Sequence, residues 1–370
     1  MAQASLTLAG ERVRTARTLL GKSQEELALA TNVSQALISQ IESGTRAATE
    51  SFLNDVARAT ALPRSFFDAI PPELPPDTLR FRKLASARRG GTRRAGALLG
   101  EAYRVVQQLL LEAKYPAPDL PAVVNTPSDD DTERLAQVTR EALGVGHDVP
   151  VRHVTRACER SGVAVVPLTL PGEDGDEGEQ IGHFGASCWP GGMDYALIGY
   201  FPGGAGDRQR YTLAHELGHL VLHSRRRFVD DPEAEANRFA GAFLVPRDRA
   251  IEAMGGSVIT LRNLQYMKAH WGVSIQALIM RGAQLGLIDA SRKASLFKQL
   301  SARGWRKSEP VLVHREEPAL IWKLLTTTYG KQAVYQRASD PLGLGAMMLR
   351  SIAPQPEEGM VTPPAGDRRK

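Results

Sequence analysis

The sequence predicts a mainly α-helical chain with one small β-sheet, an α+β protein. Three observations predict this. Residues 7–70 repeat apolar positions at helical spacing between capping signals. Strand-like runs are confined to VAVVPLTL, HFGASCW and DYALIGYF, between about 150 and 205. Beyond them, helical spacing returns to about residue 300. At 370 residues the chain exceeds one small core, and its 42% hydrophobic and 24% charged residues are those of an ordinary globular protein. The predicted units are 7–70, a connector over 71–147, a mixed domain over 148–290, a small C-terminal segment over 291–352 and a disordered tail over 353–370.

In the first unit, Leu8, Val13, Ala16, Leu19 and Leu20 mark one helix, which Gly21 stops. Ser23-Gln24-Glu25-Glu26 is a capping box that opens a second helix ending near Asn32. A third runs from Ser34 to Ser43, before Gly44, and Thr49 caps a fourth that carries Phe52, Leu53 and Val56. PPELPP closes the unit. The connector opens with LRFRKLASARRGGTRRAG, in which Arg80, Arg82, Lys83, Arg88, Arg89, Arg93 and Arg94 have no acidic neighbour. This run reads either as a solvated linker or as a phosphate-following segment that adds salt-sensitive affinity. An amphipathic helix from Leu98 to Ala113 follows, and TPSDDD precedes another.

Composition excludes several classes. No run reaches the roughly 20 apolar residues of a membrane span, and MAQASLTLAGERV lacks a basic-then-apolar leader, so neither a membrane partner nor export is expected. Only Cys158 and Cys188 occur, which argues for a cytoplasmic protein without disulfides. The net charge of +5 permits nucleic-acid binding.

The chemistry concentrates in QRYTLAHELGHLVLH, residues 209–223. On a helix, His215 and His219 share a face and can point two imidazoles at one ion, with Glu216 beside them, close enough to hold a metal-bound water but off the ligand axis. Zinc in a catalytic site takes three protein ligands and keeps one open position. In DPEAEANRFAGAFLVP, Asp231 is an N-cap, Pro232 fits the first helical position and Glu233 lies in the first turn. Glu233 is the favoured third ligand and Glu235 its competitor. Asn237, four residues on from Glu233, can orient a ligand imidazole. His223 lies about 12 Å along the axis from His215, too far to share the ion, and takes a structural or substrate-side role. Tyr211 and His223 are the candidate donors to a tetrahedral intermediate. The ligand types suit Zn²⁺, with Mn²⁺ or another divalent ion as the alternative.

RYTLAHELGHLVLH, EAEANRFAGAFLVP and the later SVITLRNLQYMKAHWGVSIQALIMRGAQLGLI resemble the ImmA/IrrE family of zinc metallopeptidases over roughly residues 148–290. That resemblance implies a zincin-like domain with His215, His219 and Glu233 as ligands and Glu216 as base. It also implies that DYALIGYF is a sheet edge where an extended substrate adds as a strand. SQEELALATNVSQALISQIESGTRAATESFLNDVA resembles the lambda-repressor-like (Xre family) helix-turn-helix, with Asn32 replacing the usual glycine at the turn. Helix two should pack on helix three through Leu27, Leu29, Val33, Ile38 and Ile41. Ser34, Gln35, Ser39 and Gln40 should reach base edges, while Gln24 and Arg46 hold phosphates.

Together these readings imply a regulator that binds a double-stranded DNA operator, as a homodimer in the manner of such domains. It would also carry a zinc endopeptidase that cleaves a partner repressor, an antitoxin or itself in a stress, mobile-element or toxin–antitoxin circuit. The sequence leaves open a repressor whose metal domain is a non-proteolytic sensor or scaffold, and an enzyme whose helix-turn-helix recruits a repressor rather than DNA. GWRKSEPVLVHREEPALIWKLL reads as a docking unit or a lid.

Overall fold

Four helices, α1 (Ala2–Leu19), α2 (Gln24–Ala30), α3 (Gln35–Glu42) and α4 (Glu50–Thr60), begin the computed structural model. It describes residues 2–72, 74, 80–83, 89–169, 183–190, 194–226, 228–256 and 258–356. Each of α2, α3 and α4 starts on a side-chain cap: Ser23 with Glu26 in a capping box, then Ser34, then Thr49. Asn32 carries the turn between α2 and α3 at φ 53°, the left-handed conformation that asparagine tolerates. Leu27, Ile38 and Ile41 are buried between these helices, together with Val13, Ala16 and Leu19 of α1. Leu29 is not among them. It is 86% exposed, because it sits two residues from Leu27 and therefore on the far side of α2.

The connector becomes three elements, a strand and two helices. α5 (Arg89–Glu112) starts well before Leu98. Gly90, Gly91 and the arginines hide this in the sequence, but Ala95 is fully buried and Arg94 donates to the Leu19 carbonyl at 3.0 Å, so contact with α1 sustains the extra turns. α6 (Asp129–Ala142), capped by Ser128, packs on a later helix. Upstream of α5, Arg80–Lys83 forms strand β1. This part of the basic run is therefore a sheet strand. Arg88, the acidic loop at 172–180 and most of the 353–370 tail lie outside the described residues.

The sheet comprises β1, β2 (Val163–Pro167), β3 (His183–Cys188) and β4 (Ala196–Tyr200), in the order β1-β3-β4-β2. β1 and β3 are antiparallel, as are β3 and β4, while β4 and β2 are parallel. The DYALIGYF strand is thus β4, an interior strand. The resemblance had made it the edge; the true edges are β1 and β2, because the basic segment adds beyond β3 and the strand after α7 (Val154–Arg160) adds beyond β4.

Side chains alternate across the sheet. Ala164, Val166, Ala186, Cys188 and Leu197 face a core shared with α5, the first four helices and the C-terminal helices α14 (Leu320–Tyr329), α15 (Val334–Ser339) and α16 (Ala346–Ile352). Val163, Val165, Ala196 and Ile198 face a second core beneath α8 (Gly206–His223) and α9 (Pro232–Leu244). Around it stand α10 (Arg247–Met254), α11 (Leu261–Trp271), α12 (Ile275–Gln284) and α13 (Ala290–Ala302). Each buried Val, Leu or Ile here contributes about 1.5–3 kcal/mol. Both cysteines are free and buried, and burial pushes both thiols well up. No helix among the described residues is long and apolar enough to cross a membrane.

The C-terminal segment is a strap. Glu309 accepts from the amides of Ile275 and Gln276 at the start of α12, at 2.7 and 3.2 Å. Glu316 accepts from the amides of Val154 and Thr155 at the start of α7, and Arg210 of α8 donates to it at 2.5 Å. Each carboxylate satisfies helix N–H groups that would otherwise be orphaned, and sits where the helix dipole favours negative charge. Gly206 opens α8 directly under the strap: a Cβ there would lie 2.2 Å from the His314 carbonyl oxygen. The segment thus braces the starts of α7 and α12.

Candidate metal centre and nucleic-acid face

α8 is buried along almost its whole length, so its polar side chains must find partners inside the protein. His215 Nε2 and His219 Nε2 lie 3.0 Å apart. Asp231 caps α9 by accepting from the Ala234 amide, with Pro232 at the first turn, and this places Glu233 over the two rings. Its carboxylate oxygens lie 3.3 Å from His215 Nε2 and 3.4 Å from His219 Nε2. Glu235 points elsewhere.

The protons around this cluster can be assigned from its neighbours. His215 Nδ1 lies 3.1 Å from Asn237 Oδ1. An amide oxygen only accepts, so Nδ1 carries the hydrogen and Nε2 presents a lone pair. Behind His219, Arg226 pairs with Glu235, whose Oε2 lies 3.1 Å from His223 Nε2. His223 therefore donates from Nε2 and accepts at Nδ1, where His219 Nδ1 lies 2.9 Å away. His219 Nε2 is again a lone pair. Two lone pairs and a carboxylate thus converge with no proton among them, an arrangement that a bound cation makes favourable.

The donor set fits zinc. Bonds of about 2.0–2.1 Å in tetrahedral geometry separate ligand atoms by roughly 3.3 Å, close to the separations here. Among the described residues, these three form the group of histidine, cysteine and acidic side chains able to hold a metal. Glu233 is about half exposed.

Glu216 is fully buried on the sheet side of α8. Ser187 of β3 donates to its Oε2 at 2.8 Å. Gly185 makes room for it, since a Cβ there would stand 2.7 Å from Glu216 Oε1. Tyr211 is half-buried, with its hydroxyl 3.3 Å from the Asn237 carbonyl oxygen. It borders, with Asn237, an open cleft of about 900 Å³ toward α12 and the strap. His223 is not on the substrate side. It is buried behind His219 with both ring nitrogens engaged, because the helix turns it away from the open face. The Arg226–Glu235–His223 relay, Ser187 and Gly185 were missed in the sequence. The first had a visible signal in the third histidine of HELGHLVLH; the other two depend on strand placement.

At the opposite end, Ser34, Gln35, Gln40 and Arg46 are exposed on or beside α3, and Ser39 is half-buried. Ser34 Oγ also accepts from the Leu37 amide as the helix cap. Gln24 is half-buried. It donates to Glu42 at 2.9 Å and accepts from Gln35 at 2.6 Å, while Arg17 grips Glu42 through two hydrogen bonds of 2.6 and 2.9 Å. Buried Glu42, the last residue of α3 and also missed in the sequence, ties the end of that helix to the start of α2 and to α1.

Two family models match the chain. Residues 13–67 match the helix-turn-helix model and residues 158–281 match the IrrE N-terminal-like domain, the peptidase M78 model. No curated protein matches it. The chain thus joins a helix-turn-helix domain of the Xre type to an IrrE N-terminal-like domain of the M78 peptidase family.

Proposed function

We propose that the protein is a DNA-binding transcriptional regulator carrying a zinc-dependent endopeptidase, whose substrate is a regulator protein such as a partner repressor, an antitoxin or a second copy of itself. The observation that carries the reading is the convergence of His215, His219 and Glu233, with Glu216 beside them. Those three residues hold the ion, with Mn²⁺ or another divalent cation as a substitute for Zn²⁺. When bound, the ion supplies Lewis acidity, polarising a scissile carbonyl and acidifying water.

The chain's own groups do the remainder. Glu216, steadied by Ser187, takes a proton from water at a carboxylate oxygen and returns it to the leaving amine. Asn237 and the His223–Glu235–Arg226 relay keep both ligand imidazoles in the Nε2 lone-pair tautomer. Tyr211, which lines the cleft, donates to the developing oxyanion in this reading. On DNA, Ser34, Gln35, Ser39 and Gln40 meet base edges, and Gln24 and Arg46 hold phosphates.

Co-expression with the products of neighbouring genes, followed by mass spectrometry of fragments, tests this. Glu216→Gln should abolish fragments, a loss of 10²-fold or more in rate, with zinc content and operator binding unchanged. Undiminished cleavage by that variant would remove Glu216 from the chemistry.

A further inference from the structure

β3 has two long edges. One is bonded to β4; the other meets β1, with Arg80 opposite Ser187, Phe81 opposite Ala186 and Arg82 opposite Gly185. Ser187 and Gly185 are the β3 residues that touch Glu216. The backbone of β1 therefore runs alongside the part of the sheet that lies against the proposed base, about 4.8 Å out from β3. The far edge of the sheet, β2, is separated from β3 by β4, roughly 10 Å away. Only the position that β1 fills can bring an added strand past Glu216.

We propose that Arg80–Lys83 of the same chain is a displaceable strand that occludes the outer edge of β3, the edge beside Glu216 at which strand addition of an extended substrate, expected from the family resemblance, would take place. This rests on the peptidase reading above and adds to it how substrate is withheld. Recognition runs through main-chain hydrogen bonds, so the substrate class is a locally unfolded, extended segment. The occupant lies on the connector between the helix-turn-helix and α5, so it competes intramolecularly. A short tether gives an effective concentration in the millimolar range, which a micromolar peptide cannot displace.

The test uses the full chain with Glu216→Gln, so that nothing is cut. Consecutive N–H groups of a strand point to opposite sides, so one of residues 81 and 82 donates toward β3. Phe81→Pro with Arg82→Pro removes that donor whichever it is. A fluorescent peptide of residues 78–85 is titrated into both chains and followed by anisotropy. The double-proline chain should bind it at least ~10-fold tighter than the chain with β1 intact. Hydrogen exchange should show the β3 amides deprotected in the variant and protected again on adding the peptide. If amide protection along α8 shows the proline variant to be unfolded, replacing 80–83 by Gly-Ser-Gly-Ser decides instead. Equal affinity for both chains, including no binding to either, overturns the assignment. Neither readout requires cleavage. Peptide binding with no partner cut would fault the peptidase reading alone, and cutting with equal affinities would fault the edge assignment alone.

Discussion

In the proposed metal site, each imidazole is set by a residue that would not touch the ion. His219 depends on a relay of three side chains, His223, Glu235 and Arg226, each holding the next in one protonation state. His223→Ala removes the acceptor for His219 Nδ1–H and frees that ring to turn. Zinc affinity should fall about 10–100-fold, read by competition with a chromophoric chelator, while the fold persists. Unchanged affinity would mean that His223 only fills space. His215, His219, Glu233 and the orienting Asn237 are legible in the sequence because helix periodicity fixes which side chains share a face. Glu216's surroundings are not: Ser187 and Gly185 reach it only through a strand whose neighbours lie far off in the chain.

At the scale of elements, local signals read well and long-range ones do not. Capping at Ser23, Ser34, Thr49 and Asp231 is written within a few residues, and each helix starts where its cap stands. Strand order carries no such local mark, so DYALIGYF is interior and the basic RFRK is an edge strand. The strap was equally hidden, since an acidic residue gives no hint of which distant helix it caps. Glu316 shows what such a cap contributes. Burial raises its carboxyl, but the hydrogen bond and charge of His153, the charge of Arg210 and the Thr155 amide prevail and lower it to about 2 from 4.5. A folded-state value below the ordinary one stabilises the protein above about pH 4.5, and this contribution fades as pH falls toward 2. Glu316→Gln leaves Arg210 buried without its counter-charge and should cost about 3–5 kcal/mol near neutral pH. Denaturant midpoints of both chains across pH should converge on acidification. A constant gap would place the stabilisation elsewhere.

Across the whole molecule, the DNA-binding helices are welded to the peptidase-family domain and do not hang from a tether. Arg12 of α1 is fully buried, pairs with Glu101 of α5 and donates to the Phe66 carbonyl at 2.8 Å. Arg104 pairs with Glu101 at 3.0 Å and reaches the carbonyls of Leu342 and Gly343. Glu101→Ala strands two buried guanidinium groups. It should cost about 3–5 kcal/mol and split one cooperative melt into two, with the helix-turn-helix melting first. A single unshifted transition would show the weld to be dispensable. The proposed peptidase depends on an ion held by His215, His219 and Glu233. X-ray absorption at the zinc edge on the full-length protein should show one ion per chain bound by two imidazoles and oxygen at about 2.0–2.1 Å, with that signature lost in Glu233→Ala. No bound zinc, or a first shell unaltered by that substitution, would contradict it.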